Sequence, residues 1–169
     1  MKNEDTEYFK FVAKFSKSSD ERADALKNIN DQKFLENFIY QEMFWRVSLE
    51  ALKNISNQEI LKRIIQKSTE YYIQFEAAKK ITQKEIIEEL LILDNVNWKI
   101  KTYLLNNIKE NKSLIIKLAF SHEHYQVRIK SLSLIEDKRI IAKIAMEDKN
   151  NYVRMYAEYI LDHGKLKWK

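Results

Sequence analysis

The chain repeats one pentapeptide, since Ala25-Leu26-Lys27-Asn28-Ile29 returns as Ala51-Leu52-Lys53-Asn54-Ile55. Weaker copies follow, and the residues that close successive copies are spaced by 26, 26, 27, 27 and 26 positions. They are Ile29, Ile55, Ile81, Ile108, Ile135 and Leu161. A fixed period of this length is typical of proteins that stack one repeated unit, in which each unit buries its apolar face against its neighbours.

A second apolar pattern runs half a period out of phase with the first. It places apolar residues at i, i+1, i+4 and i+5, as in Ile60-Leu61-x-x-Ile64-Ile65. This spacing makes one stripe along an α-helix, and the pentapeptide belongs to a similar stripe. Each period therefore predicts two amphipathic helices, an A helix carrying Ala-Leu-x-x-Ile and a B helix carrying the second pattern. The predicted order is one B helix, five A–B pairs and a final A helix.

The residues between these stripes predict turns rather than strands. Capping residues such as Asp31, Asn57, Asn111 and Asp137 fall between A and B helices. The chain has no proline, and its one glycine, Gly164, stands where a C-terminal helix cap belongs. No long segment alternates with a period of two, so we predict an all-α fold.

Length and composition predict a single domain over residues 1–169. The 169 residues are 45% apolar, and no linker or low-complexity stretch divides them. We interpret residues 1–6 as a short polar N-terminal end and residues 163–169 as a basic C-terminal tail. The absence of cysteine excludes disulfides and thiolate metal sites, and we expect no metal and no cofactor. The charged N-terminus and the lack of an apolar run of about 20 residues favour a cytoplasmic location without membrane insertion.

Two segments carry a resemblance to a known family. Tyr125-Gln126-Val127-Arg128-x-x-Ser131 and Tyr152-Val153-Arg154-x-x-Ala157 resemble HEAT-like repeats of the compact bacterial type, over about residues 7–162. The resemblance implies a right-handed α-solenoid of about six short helix pairs of 26–27 residues. Such arrays mostly serve as interaction scaffolds, and a subset resembles alkylpurine DNA glycosylases or phycobilin lyases. The Val-Arg pair is complete only in these two segments.

Apolar residues at predicted exposed positions of three successive B helices suggest a partner-binding surface. They are Ile92, Ile116, Phe120, Ala142 and Met146. Clustered apolar groups on a surface indicate a binding groove, whereas the alternative is that they pack beneath the loops at the helix ends. We predict a non-catalytic scaffold that binds a protein partner on the concave B-helix face. The predicted binding residues are Ile92, Ile116, Lys117, Phe120, Arg139, Lys143 and Met146.

Two further columns recur with the period and allow a second hypothesis. The aromatic column (Trp45, Tyr71, Trp98 and Tyr125, with Tyr152 one residue out of step) either packs helix starts onto the preceding turn or stacks nucleobases. The cationic column (Arg22, Lys101, Arg128 and Arg154) either bonds acceptors in neighbouring loops or contacts phosphates. Residues 1–98 carry a net charge of −2 and residues 99–169 carry +7, giving the total of +5. The alternative function is nucleic-acid binding through Lys101, Arg128, Lys130 and Arg154.

Signals for catalysis are weak. His122-x-His124 offers two imidazoles, but no further ligands can be assigned from the sequence. A glycosylase-like site would use Glu85, Glu88 and Glu89 beside cations of neighbouring B helices. We interpret these carboxylates as a solvated acidic patch instead, because the B-helix columns predicted to be concave contain no tryptophan.

Overall fold

The regular structure of the chain is helical. A computed structural model describes the backbone of residues 3–164 and the side chains of residues 5–164. These residues form twelve α-helices and one short 3-10 helix, with no strand among them. The prediction of an all-α fold is confirmed, and so is the number of α-helices. The basic tail residues Lys165, Lys167 and Lys169 lie outside the described residues.

Six helices lie wholly in the first of two compact units, Met1–Ile86. They are α1 (Asn3–Phe15), α2 (Ser19–Leu26), α3 (Gln32–Gln41), α4 (Trp45–Lys53), α5 (Gln58–Lys67) and α6 (Tyr71–Lys79). Within this unit α1 packs on α2, α3 on α4 and α5 on α6. Successive pairs are joined through α2 with α4, α4 with α6 and α3 with α5, a pattern consistent with helical repeats.

The second compact unit is Ile87–Lys169, and α7 (Lys84–Ile92) begins before this boundary and ends after it. The helices wholly within the unit are α8 (Trp98–Leu104), α9 (Lys112–Ser121), α10 (Tyr125–Leu132), α11 (Lys138–Glu147) and α12 (Asn151–His163). The 3-10 helix Leu105–Asn107 directly follows α8. Here α9 packs on α10 and α11 on α12, while α10 also packs on α8 and α12.

Both apolar patterns supply the core of their unit. Ile29, Ile55 and Ile81 of the first pattern are buried in the first unit, and Ile108 and Ile135 are buried in the second. The B-helix pattern is buried in the same way, with Leu61, Ile64 and Ile65 of α5 fully enclosed. The even-numbered helices are the predicted A helices and the odd-numbered helices are the predicted B helices.

The predicted caps act as N-caps of the B helices. The side chains of Asp31, Asn57 and Asn111 each accept a hydrogen bond from the backbone N–H three residues later. Asp137 accepts one from the N–H of Arg139. These bonds satisfy N–H groups that have no partner within the helix. Gly164 closes α12 with φ of 78°, a conformation that favours glycine, and its N–H donates to the Ile160 carbonyl.

Polar ties join successive turns of the first unit. The amide of Gln32 donates to the Asn54 carbonyl at 2.8 Å and accepts from the N–H groups of Ser56 and Asn57 at 2.8 and 3.1 Å. Gln58 makes the same set of bonds to Lys80, Thr82 and Gln83 one period later. We call this arrangement the glutamine clamp. Each clamp satisfies backbone groups of the following turn that no helix can satisfy.

A second tie runs in the opposite direction along the chain. The Asn54 amide donates to the carbonyls of Leu26 and Ile29 at 2.8 and 3.2 Å. Lys80 occupies the equivalent position one period later, and its ammonium donates to the carbonyls of Leu52 and Lys53. We call this contact the backward tie. Together with the glutamine clamp, it fixes the spacing between neighbouring turns.

Gln32→Ala should lower the free energy of unfolding by about 1–2 kcal/mol, because it leaves four backbone groups, the Asn30 carbonyl among them, without their partner while water can still reach part of the site. Urea unfolding followed by circular dichroism would measure the change. Gln41→Ala, at the exposed end of the same helix, is the matched control and should leave the stability unchanged. Equal stability of Gln32→Ala and the wild type would show that the clamp does not stabilise the first unit.

None of the described helices combines the length and the apolar character that crossing a bilayer requires.

Candidate functional site

Three of the apolar side chains predicted to bind a partner are exposed. Ile92 at the end of α7, Phe120 on α9 and Met146 on α11 have exposed fractions of 56%, 40% and 76%. Ile116 and Ala142 are half-buried instead. An exposed methionine or phenylalanine on each of two neighbouring B helices presents apolar area that the second unit itself does not cover.

A shallow depression of about 490 Å³ is lined by residues of α9 and α11 and by the N-cap of α11. Its lining residues are Phe120, Asp137, Arg139, Ile140 and Lys143. The Lys143 Nζ atom lies 5.7 Å from the centroid of the Phe120 ring, which is within the range of a cation–π contact. Thus Phe120, Arg139 and Lys143, three of the predicted binding residues, meet in one place.

Two of the side chains that line this depression, Arg139 and Lys143, are cationic. The Arg139 guanidinium is 92% exposed and pairs with the Asp137 carboxylate at 3.0 Å. The hydrogen bond between them lowers the pKa of Asp137 and raises that of Arg139. Lys143 lies 3.9 Å from Glu147, and Lys117 is exposed on α9. The long cationic side chains can therefore extend towards an acidic ligand while their stems cover apolar surface.

The depression also contains residues that the sequence analysis did not assign to a site. Ile140 belongs to the apolar pattern of α11 and was interpreted as core, yet it is half-buried and lines the depression. Asp137 was identified only as a cap. Ile92, Lys117 and Met146 are not among the lining residues of this depression, and Ile116 lines a neighbouring cavity.

The cationic column has a structural role wherever it carries arginine. Arg128 is 2% exposed, and its guanidinium donates to both oxygens of Asp148 at 2.7 and 2.8 Å. It also donates to the carbonyls of His122 and Glu123. Despite the cost of burial, the bonds from Arg128 and from the Asn150 N–H lower the pKa of Asp148. Four of the five N–H donors of Arg128 therefore have acceptors inside the protein.

Other members of the column repeat this contact. Arg22 donates to Glu42 at 2.8 and 3.0 Å and to the carbonyls of Ser16 and Lys17. Arg154 donates to the Asp148 carbonyl at 2.7 Å. Each arginine thus reaches the carbonyl six residues before it, in the loop that precedes its own helix.

Lys101 departs from this pattern because it is buried beside a histidine. Its exposed fraction is 2%, and its Nζ lies 3.0 Å from Nε2 of His122. Burial lowers the pKa of Lys101, against the attraction of Asp94 and Glu123. The other nitrogen of His122 accepts the N–H of His124, so both ring nitrogens have neighbours. The described residues contain no group of three or more side chains placed to hold a metal ion.

These positions bear on the predicted phosphate contacts. Lys101 and Arg128 are enclosed by protein, and a phosphate could reach them only after their present contacts are broken. Lys130 and Arg154 are half-buried. Burial lowers the pKa of Lys130, and the nearby positive charge of Lys109 lowers it further. Of the four residues, only Lys130 and Arg154 therefore have any solvent contact through which they could meet a nucleic acid.

The aromatic column links neighbouring A helices. Trp98 stacks on His124 at 4.4 Å between ring centroids, and His124 stacks on Tyr125 at 5.4 Å. Tyr125 in turn lies 6.0 Å from Tyr152. In the first unit, Trp45 contacts Tyr72 edge to face at 4.9 Å. Trp45, Trp98 and Tyr125 thus pack against rings of the next A helix or its cap, whereas Tyr71 stacks on Phe75 of its own helix. These contacts are of the packing kind, but they run to the next A helix rather than to the preceding turn.

Two acidic residues of the B helices, Glu36 and Glu88, are bonded within the protein. Glu36 on α3 is 8% exposed, and both of its oxygens accept from Arg63 at 2.7 Å. The Tyr40 hydroxyl donates to the same carboxylate at 3.2 Å. The Arg63 hydrogen bonds lower the pKa of Glu36, and burial raises that of Tyr40. In the second unit, Glu88 accepts from Asn111 at 2.7 Å.

No protein-family model, curated protein or solved structure matches this chain. The class of protein that these observations define is an all-helical protein whose helices pack in sequential pairs.

Proposed function

We propose that the chain is a HEAT-like repeat scaffold without catalytic activity, and that it binds a protein partner through the B-helix surface of its second unit. The period of 26–27 residues, the sequential packing of helix pairs and the shared loop contact of Arg22, Arg128 and Arg154 support the repeat assignment. The depression around Phe120 carries the functional proposal, because apolar and cationic side chains converge there in one exposed place.

The chemistry of this surface favours an acidic, amphipathic helical segment of the partner. Phe120 and Met146 offer exposed apolar side chains on two B helices, and the apolar face of an amphipathic helix is the kind of surface that such side chains bind. Lys117, Arg139 and Lys143 supply positive charge beside them. Carboxylates on the rim of such a segment would pair with these cations and guide its orientation.

Phe120→Ala should weaken binding of such a segment at least about tenfold, because aromatic residues at the centre of an interface contribute most to affinity. Peptide display on the purified protein would supply the ligands, and fluorescence anisotropy would compare their affinities for the wild type and the variant. We expect the selected peptides to be acidic, with apolar residues at helical spacing.

Met43→Ser is the control, because Met43 is a 91% exposed apolar residue of the first unit. It should leave the peptide affinity unchanged. Met43→Ser should unfold at the wild-type temperature, whereas Phe120→Ala should stay folded but unfold at a somewhat lower temperature, because part of the Phe120 ring is covered by protein. Selected peptides that bind Phe120→Ala as tightly as the wild type would refute the proposed surface.

The alternative function is nucleic-acid binding through Lys101, Arg128, Lys130 and Arg154. The salt dependence of the binding affinity distinguishes it from protein binding. A phosphate binder loses affinity steeply between low and moderate salt, whereas an apolar surface does not. Titration with labelled single-stranded and double-stranded oligonucleotides at two salt concentrations would decide. Tight, salt-sensitive binding that is lost in Lys130→Glu would favour the nucleic-acid alternative over the protein scaffold.

A further inference from the structure

The second unit contains a cavity of about 570 Å³ between two turns. One turn precedes α9 and supplies Lys109, and Lys112 is the first residue of α9 itself. The other turn joins α10 to α11 and supplies residues 133–137. Apolar side chains of Ile115, Ile116 and Ile140 form the remaining wall. This volume lies within the range of about 300–1,000 Å³ that small-molecule sites occupy.

The cavity of the second unit lies at the position of the repeat that the glutamine clamp occupies in the first unit. Gln32 and Gln58 directly follow the N-caps of α3 and α5, and Lys112 directly follows the N-cap of α9. Gln32 contacts residues 22, 24 and 25 positions later. The same steps from Lys112 lead to Leu134, Glu136 and Asp137, all of which line the cavity. A lysine has no hydrogen-bond acceptor and cannot replace the glutamine oxygen.

The backward tie is missing at the same place. Asn54 and Lys80 each precede the isoleucine that closes their copy of the repeated pentapeptide, and the equivalent residue before Ile135 is Leu134. Leucine cannot donate to the carbonyls of the preceding turn. Both polar ties between these turns are therefore replaced by residues that line the cavity. The cavity is thus explained by two changes in the repeating pattern: lysine replaces the clamp glutamine at position 112, and leucine replaces the donor of the backward tie at position 134.

Two backbone donors are left without a partner by this change. Within the described part of the chain, the N–H groups of Glu136 and Asp137 make no hydrogen bond, although their counterparts at Ser56 and Asn57 share one glutamine oxygen. Lys109 and Lys112 add positive charge at the same opening. The two carboxylates of the turn oppose them only in part, because Asp137 is paired with Arg139 and caps α11 while Glu136 is exposed.

We propose that this cavity binds a small organic carboxylate with an apolar body. One carboxylate oxygen takes the place of the glutamine oxygen and accepts the N–H groups of Glu136 and Asp137, while Lys112 supplies the balancing charge. The apolar body lies against Ile115, Ile116 and Ile140. Hydrogen bonds to an ionised acceptor are about twice as strong as neutral ones, which favours a carboxylate over an amide. The site does not depend on the proposed protein partner.

Hexanoate is a suitable probe, with hexanamide as the neutral ligand of the same shape. Titration of the isotope-labelled protein, followed by nuclear magnetic resonance, should give saturable shifts of the Glu136 and Asp137 amide signals. Hexanamide should bind about tenfold more weakly than hexanoate. The third ligand in this titration is a peptide with an internal glutamate. Binding of the peptide but not of hexanoate would overturn the small-molecule proposal and assign the carboxylate to a protein side chain.

Lys112→Gln tests the mechanism because it restores the missing clamp. We expect it to raise the unfolding temperature by about 2–4 °C and to weaken hexanoate binding about tenfold. Lys138→Gln is the matched control, since Lys138 directly follows the N-cap of α11 but does not line the cavity. It should change neither property. Unchanged hexanoate affinity in Lys112→Gln, or amide shifts that avoid Glu136 and Asp137, would overturn the proposal.

Discussion

Arg128→Ala should lower the free energy of unfolding by about 3–5 kcal/mol, the cost of removing one partner of a buried ion pair. The substitution leaves the Asp148 carboxylate without its guanidinium, and it leaves the carbonyls of His122 and Glu123 without their donors. A loss of this size is a large part of the stability of an ordinary domain. Denaturant unfolding followed by circular dichroism would measure it.

Arg139→Ala is the matched control for Arg128→Ala, because Arg139 pairs with an aspartate on the surface. Its guanidinium is 92% exposed, while that of Arg128 is 2% exposed. The exposed pair is screened by water, so its removal should leave the stability unchanged. Equal effects of the two substitutions would mean that the buried contacts of Arg128 do not stabilise the second unit.

A double variant separates loss of the pair from loss of packing. Arg128→Met with Asp148→Leu removes both charges and leaves no buried ion unpaired. It should be less destabilised than the sum of the two single variants, because the residues contact each other. Additive effects would show that the pair has no coupling energy. A coupling energy between Arg128 and Asp148 would show that Arg128 stabilises the fold, even if oligonucleotides bind elsewhere on the protein.

The protein should lose stability as the pH falls from 6.5 towards 4, and His122 should account for much of the loss. Burial, together with the neighbouring Lys101, lowers the pKa of His122 to about 4. The unfolded chain, in which histidine has its ordinary pKa of about 6.5, takes up this proton at higher pH than the folded chain does. The stabilisation is therefore complete above pH 6.5 and is lost progressively as the pH falls towards 4.

His122→Asn should flatten this pH dependence, since asparagine keeps a hydrogen-bond acceptor but does not titrate. Urea unfolding between pH 7 and pH 4.5 would measure the slope, mostly above the range in which ordinary carboxylates take up protons. His163→Asn is the control, because it removes an exposed histidine at the end of α12 and should keep the wild-type slope. A slope that is identical in wild type and His122→Asn would contradict the assignment to His122.

Much of the helical arrangement could be predicted from the sequence because the apolar spacing is regular. The two apolar patterns identify the A and B helices, and cap residues such as Asp31 and Asn57 mark where α3 and α5 begin. Local signals of this kind depend on the period of a helix and on short-range hydrogen bonds, both of which can be read directly from neighbouring residues.

The contacts between periods were harder to predict, because the partners lie more than 20 residues apart. The sequence analysis allowed Arg128 to bond an acceptor in a neighbouring loop, yet its bidentate contact with Asp148 and the burial of the pair are properties of the packed helices. Glu36 lies on α3, and no local signal indicates that Arg63 of the next B helix binds and covers it. The cavity at Lys112 could have been suspected from the change of Gln32 and Gln58 to lysine, once the clamp was known.

The loop contacts of the cationic column also affect how the second unit opens. Arg128 connects the loop at His122 and Glu123 with Asp148, and Arg154 connects Asp148 with the last helix. A fluctuation that releases one of these loops must break bonds that hold the next loop. Local unfolding of α10 and α12 is therefore coupled, and their slowest amide protons should exchange with solvent together, as one cooperative block.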